Sequence, residues 1–228
     1  MSDSSQHSQS STERHKETGC PVCAAQTKAV FDDLVKWQDR LARSEPARAL
    51  FLAFRGFCSF HMWLLQQIGD PLSLSRSLAP LVAAWADDLD RLAGEPAERV
   101  LAAVAPSLPR RGACPVCRVE RDTEAGQLQR LAALAETAEG RAEIAHAPAL
   151  CLRHLVALLR RGAGQDAVRF LLREHSERLR EVAAHLHGYA AKRDVASREP
   201  ISEDEQDGWR RALALLAGAR AVREVEPE

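Results

Sequence analysis

The four letters Cys-Pro-Val-Cys stand at 20–23 and again at 114–117. Each copy is followed by a Cys-x-x-His element, Cys58 with His61 and then Cys151 with His154. Written as spacings, the chain carries C-x2-C-x34-C-x2-H and then C-x2-C-x33-C-x2-H, and together these consume all six cysteines. Four thiolate and imidazole donors per set match the closed tetrahedral shell of a structural zinc ion, in which no position is left for water or substrate. Read along the chain, each Cys-Pro-Val-Cys pairs with the Cys-x-x-His that follows it. The expectation is therefore two Cys3His sites, one formed by Cys20, Cys23, Cys58 and His61, the other by Cys114, Cys117, Cys151 and His154. Each ion then clips the start of one helix to the start of another and closes a loop of about 34 residues.

Other chemistries can use such cysteines. They can be buried apolar groups, but buried cysteines have no reason to recur with a matched histidine. Cys-x-x-Cys at a helix start can be a redox dithiol, although that role usually sits in a βαβ context. An iron–sulfur cluster can accept His in place of one Cys. Covalent haem attachment requires His directly after the second Cys, where Ala24 and Arg118 stand here. Two zinc ions are the leading expectation, with an iron–sulfur cluster as the alternative.

Only 5% of the residues are aromatic, and runs such as 101–104 (Leu-Ala-Ala-Val) and 212–216 (Ala-Leu-Ala-Leu-Leu) favour helix over strand. The class expected is all-α. Helices are read at 21–42, 45–54, 58–68, 72–92 and 97–105, then at 115–135, 139–146, 151–161, 165–190 and 203–218. Phe31, Leu34, Val35, Trp37 and Leu41 recur at three and four in the first. Gly56 reads as a left-handed cap after the second, and Trp209 as a buried residue of the last. Cys114 lies 94 positions after Cys20 and Cys151 lies 93 after Cys58, so whole halves recur. This predicts a duplicated helical unit of four to five helices per repeat. The repeats are placed at 19–108 and 109–218, with a proline-bearing linker at 106–111 and an insertion at 191–202. Residues 1–18, polar and without the apolar centre of a secretory signal, read as a disordered tail, and 219–228 as a frayed end.

The formal net charge is −1, and three thiolates around each divalent ion take it to roughly −3. Wholesale attraction to phosphate backbones is not expected. Charge is nonetheless uneven: 141–193 carries ten basic against five acidic residues, and 57–98 two against six. The arginine-rich segment is a candidate face for an acidic partner or nucleic acid, but no aromatics are interleaved to stack bases. His175 reads as a packing residue, His185 and His187 as solvated, and His146 as a near neighbour of the second metal set. No window is apolar enough to cross a membrane. Paired Cys-x-x-Cys motifs kept as metal ligands point to the reducing cytoplasm. No Gly-rich phosphate loop, HExxH or nucleophile elbow is present.

The chain resembles a prokaryotic domain-of-unknown-function family with duplicated CPxC and CxxH elements. The resemblance is carried by Gly19 to Cys23, by Gly56 to His61 with Trp63, by Cys114 to Cys117 and by Cys151 to His154. It extends to a closing stretch from Glu199-Pro200 through Asp207-Gly208-Trp209-Arg210-Arg211-Ala212 to Gly218. It covers nearly everything from 19 to 218 and implies an all-helical, metal-binding protein with ligands Cys20, Cys23, Cys58, His61, Cys114, Cys117, Cys151 and His154. The sequence departs from the family over 185–195, where the family tends to show an aromatic and charged run ending in Asp-x-Arg-Phe. The function expected is a non-enzymatic zinc protein that serves as an interaction or scaffold module for another protein. An iron–sulfur or thiol redox sensor, or a nucleic-acid regulator acting through 141–193, are the alternatives.

Overall fold

The computed structural model describes residues 19–193 and 199–219. Among them it contains ten α-helices and no strand: α1 (Pro21–Arg43), α2 (Glu45–Ala53), α3 (Ser59–Ile68), α4 (Pro71–Leu92), α5 (Ala97–Ser107), α6 (Pro115–Ala135), α7 (Ala138–His146), α8 (Leu152–Leu159), α9 (Gln165–Lys192) and α10 (Glu203–Ala217). The all-α expectation holds, and the helices fall within a few residues of where periodicity put them. The expected tail, most of the 191–202 insertion's centre and residues 220–228 lie outside the described residues.

Local sequence explains the boundaries. Ser44 caps α2 by accepting the Ala47 amide at 3.3 Å, and Asp70 caps α4 by accepting those of Leu72 and Ser73 at 3.2 and 2.9 Å. Thr137 does the same for α7 through the Gly140 amide at 3.0 Å. α10 opens on a reciprocal capping box in which Ser202 accepts from Glu205 N–H while the Glu205 carboxylate accepts from Ser202 N–H. Pro106 falls inside α5 and does not end it.

The described residues form two compact units: Lys28–Asp122, contiguous in sequence, and a split unit made of 19–27 with 123–193 and 199–219. They differ from the sequence halves 19–108 and 109–218. The first turns of α1 belong with the C-terminal segment, and the first turns of α6 with the preceding helices. Helices α1 and α6 each begin in one unit and continue in the other.

In the contiguous unit Val30, Leu34, Trp37 and Leu41 of α1 are buried with Phe51, Phe57, Leu65 and Leu81. Trp37 and Phe51 each meet Phe57 edge to face, with centroids 5.2 and 5.1 Å apart. The periodic reading of α1 placed Phe31 and Val35 on this face, but both are exposed. The buried stripe instead starts at Val30, and the i, i+4, i+7, i+11 series it begins takes one side of the helix.

The end of α2 is fixed by two consecutive left-handed residues, Arg55 (φ 58°) and Gly56 (φ 83°). Arg55 is held there by its ion pair with Asp88 at 2.5 Å and by stacking over Trp85 at 4.9 Å. Gly56 returns its amide to the Phe51 carbonyl at 3.0 Å and delivers the chain to Cys58 two residues later. A Cβ at Gly56 would lie 3.2 Å from Leu81 Cδ2 in a backbone region that L-residues avoid. Gly56→Ala is therefore expected to cost about 1–2 kcal/mol, read as a lowered urea midpoint with unchanged slope.

In the split unit Leu128, Ala135, Ile144, Leu150, Leu155, Leu158, Ala167 and Leu171 bury together with Cys20, Val22 and Cys23. α10 packs along α9 and against α8. Gly188 of α9 admits the Glu205 carboxylate, whose Oε1 would lie 2.4 Å from an added Cβ. Trp209, expected in the core, is half exposed. The helix turns Gly208 inward, where a Cβ would make ordinary contact with Leu186 and His185, and the adjacent residue consequently faces away.

Candidate metal centres

All eight ligands anticipated from sequence are buried and gather into two sets of four. The sets are Cys20, Cys23, Cys151 and His154 in the split unit, and Cys58, His61, Cys114 and Cys117 in the contiguous unit. The pairing expected along the chain is overturned: each Cys-Pro-Val-Cys joins the Cys-x-x-His of the opposite sequence half. A Cys-x-x-Cys or Cys-x-x-His spacing fixes two donors on one helix start, but which other start completes the shell is settled by packing. α1 leaves its own Cys-Pro-Val-Cys among Leu150, Leu155 and Leu158, whereas Phe57 and Cys58 bury with Val116 and Cys117.

The four half-sites share one construction. Cys58 and Cys151 are the N-cap residues of α3 and α8, extended in backbone (ψ 157° and 158°), and neither thiol makes a capping bond. The thiol is thus free to face the site, and the residue three further on, His61 or His154, lies one turn along the same face. Cys20 and Cys114 stand in the same place before Pro21 and Pro115, with the carbonyl of each accepting the first helical amide, at 3.0 Å from Ala24 and 3.2 Å from Arg118. Proline suits that first position, where an N–H would have had no partner. Every ligand therefore sits in the first turn of a helix, where unpaired amides and the positive end of the dipole favour thiolates.

The donor atoms are close enough for a single ion. His154 Nδ1 lies 3.2, 3.4 and 3.2 Å from the sulfurs of Cys20, Cys23 and Cys151, and the sulfurs of Cys23 and Cys151 are 3.9 Å apart. His61 Nδ1 lies 3.3, 3.7 and 3.3 Å from those of Cys58, Cys114 and Cys117, with Cys58 and Cys117 3.5 Å apart. Zinc bond lengths set tetrahedral edges of roughly 3.6 Å for nitrogen to sulfur and 3.8 Å between sulfurs, so both sets fit one ion. None of the six cysteines is in a disulfide.

Within each set the four crowded donors perturb one another's protonation. Bonding to Cys151 and Cys23, with burial, pushes the Cys20 thiol far up, and the partners Cys114 and Cys58 do the same to Cys117. Cys58 is pulled far down by the thiols of Cys114 and Cys117, and Cys151 by those of Cys20 and Cys23. Burial works against a charged ring at His61 and His154. Bonds to Cys114 and Cys58 in the first case, and to Cys151 and Cys23 in the second, outweigh it and hold the rings up at about 9 and about 10. A metal ion entering either set would displace the protons its donors carry.

Beyond the ligands, the structure brings in residues that spacing did not reveal. With Nδ1 facing the sulfurs, the Nε2–H of His154 donates to Glu124 Oε1 at 3.0 Å, this bond holds the Glu124 carboxyl below the usual carboxylate range, and Arg153 Nη2 stands 3.0 Å from the same ring nitrogen. Arg153 reaches the buried Gln26 at 3.5 Å. Glu120, buried three residues after Cys117, faces Arg111 at 3.6 Å. Both Gln26 and Glu120 stand three positions after a ligand cysteine, the one signal that could have marked them. His146, placed near a metal set by sequence, is exposed and bonds the Ala142 carbonyl. His175 is buried as expected between the carbonyls of Leu171 and Leu150. His185, expected to be solvated, is half-buried and accepts from Arg211 at 2.7 Å.

No protein-family model matches the chain, and no curated protein or solved structure matches it. The resemblance to a family with duplicated CPxC and CxxH elements rests on the quoted motifs alone.

Proposed function

We propose that this is a non-enzymatic zinc protein whose two ions act as structural staples, and that the helical body they hold presents a surface to another protein. The observation that carries the reading is the pair of buried Cys3His sets, each spaced for one ion and complete with four protein donors. Such a shell leaves no open position for substrate. Donor atoms that all lie within 4.8 Å of one another support one ion per set, where an iron–sulfur cluster would distribute its ligands over several irons. The reduced thiols fit a reducing compartment such as the cytoplasm, and no helix among the described residues is long and apolar enough to cross a membrane.

A protein partner is favoured by the apolar side chains left outside each core. In the contiguous unit Trp63, Val82 and Leu101 are 70, 64 and 66% exposed, and α5 buries none of its residues. In the split unit Trp209, Leu213 and Leu216 line one side of α10 and are each more than half exposed. On the 141–193 segment several arginines are engaged within their own helix, Arg169 with Asp166, Arg173 with Glu177 and Arg178 with Glu174, which weakens the case for a phosphate-binding face.

Elemental analysis of protein purified without added metal is expected to give two zinc per chain and no visible absorption. Fewer than one zinc, or a brown protein absorbing near 400 nm, would overturn the reading.

A further inference from the structure

The two Cys3His sets share their donors but not their surroundings. In the split unit the outward nitrogen of His154 is anchored on Glu124, whose side chain is itself mostly buried. In the contiguous unit the outward nitrogen of His61 is buried and has no hydrogen-bond partner among the described residues. Sequence supplies the reason. Seven positions after the second cysteine of each Cys-Pro-Val-Cys stand Val30 in α1 and Glu124 in α6. Val30 packs in the apolar core beside Cys58 and Cys114 and offers nothing to a ring N–H. The residue inside each Cys-x-x-His differs in the same sense. Arg153 stands 3.0 Å from His154 Nε2 beside Glu124 and reaches Gln26 at 3.5 Å, whereas Phe60 packs its ring against His61 at 5.2 Å.

A second, independent difference is cover. The C-terminal end of α10 closes over the split-unit set, and an added Cβ at Gly218 (φ 75°) would sit 3.1 Å from the Cys23 sulfur and 3.3 Å from that of Cys151. An added Cβ at Gly56, two residues before Cys58, would meet Leu81 and Met62 first.

We propose that the sites are unequal: Cys20, Cys23, Cys151 and His154 hold a permanent ion, while Cys58, His61, Cys114 and Cys117 form an exchangeable site that yields its ion first to a competing ligand. The inference rests on the zinc reading above. An ion bound through Nδ1 requires the proton on Nε2. A carboxylate accepting that proton fixes the ring and makes the bound nitrogen a stronger donor, and losing such a partner typically lowers metal affinity about 10–100-fold. At His61 the metal-bound tautomer buries an N–H that no acceptor among the described residues reaches within hydrogen-bond distance, the half-buried Asp33 carboxylate acting on the ring only through space, so the penalty falls on the loaded state. The exchangeable ion belongs to the unit whose α3 and α4 carry the exposed Trp63 and Val82, which places metal loss where a partner surface would register it.

The test uses the full chain loaded with zinc and titrated with the chromophoric chelator 4-(2-pyridylazo)resorcinol, followed by thiol alkylation with N-ethylmaleimide and peptide mass mapping. Two equivalents should leave in separate steps, with dissociation constants about 10–100-fold apart. After the first, Cys58, Cys114 and Cys117 should be alkylated while Cys20, Cys23 and Cys151 stay protected. Glu124→Val, which reproduces the Val30 environment at the other set, should bring the second step toward the first and leave the first unchanged. A single step, or labelling that begins at Cys20, Cys23 and Cys151, would overturn the inequality with both ions demonstrably bound. A protein that takes up fewer than two zinc ions at the outset fails the zinc reading itself, a distinct outcome.

Discussion

Cys23→Ser should lower the metal content from two ions per chain to one, and adding Cys151→Ser should lower it no further. Combining Cys23→Ser with Cys58→Ser should instead remove both ions, because the structure puts these cysteines in different sets. Pairing each motif with its sequence neighbour requires the reverse outcome, so three elemental analyses decide between the two assignments. The structural cost is expected to be large. Metal binding energy in such sites is folding energy, about 10–16 kcal/mol in isolated zinc-binding peptides, which is comparable to the whole stability of a typical domain. The staple through Cys23 and Cys151 joins positions 128 apart, and closing a longer loop removes more freedom from the unfolded chain, about 1 kcal/mol more than a 34-residue loop. Hydrogen exchange on Cys23→Ser should show protection lost in α8 and α9, which lie far along the chain, while α2 to α4 of the contiguous unit stay protected. Equal protection of α8 and α9 in mutant and parent would contradict the assignment.

The second large effect is at Gly140, which has no part in metal binding. It stands in the first turn of α7, where its amide satisfies the Thr137 cap. A Cβ there would fall on the backbone of Leu134, 2.7 Å from both its Cα and its carbonyl carbon and closer still to the oxygen. Backbone at the end of α6 cannot turn aside as a side chain would. Gly140→Ala is therefore expected to cost about 3 kcal/mol or more, at or beyond the upper end of ordinary overpacking. Calorimetry should show the melting temperature down by about 6–12 °C or more. Gly126→Ala is the control. It lies inside α6 with open space around its Cα, so the gain in helix propensity should stabilise the protein by about 0.5–1 kcal/mol.

How far the fold was legible follows from the range of each signal. Helix positions were readable because caps and punctuation act within a turn: Ser44, Asp70 and Ser202 each accept an amide two or three residues on, and Gly56 closes a turn over five. Helix faces were less readable. Phe31, Val35 and Trp209 satisfied a periodic stripe and are exposed, while Val30 and Gly208 take the inward positions, because periodicity yields a stripe without saying which neighbour covers it.

The sequence by itself marked the eight candidate donors, each at the first turn of a helix, in four pairs whose three-residue spacing places both on one face. Only the tertiary structure decided how the pairs combine. The two Cys-Pro-Val-Cys elements are identical, so either could complete a shell with either Cys-x-x-His. Ligand spacing carries no preference between those choices. The preference comes from cores assembled over long separations, Val22 with Leu155 and Leu158 in one unit and Val116 with Phe57 in the other. The same packing brought Glu124 to His154 and left the outward nitrogen of His61 without a hydrogen-bond partner among the described residues, one of several differences between two candidate sets that share the same four donor types.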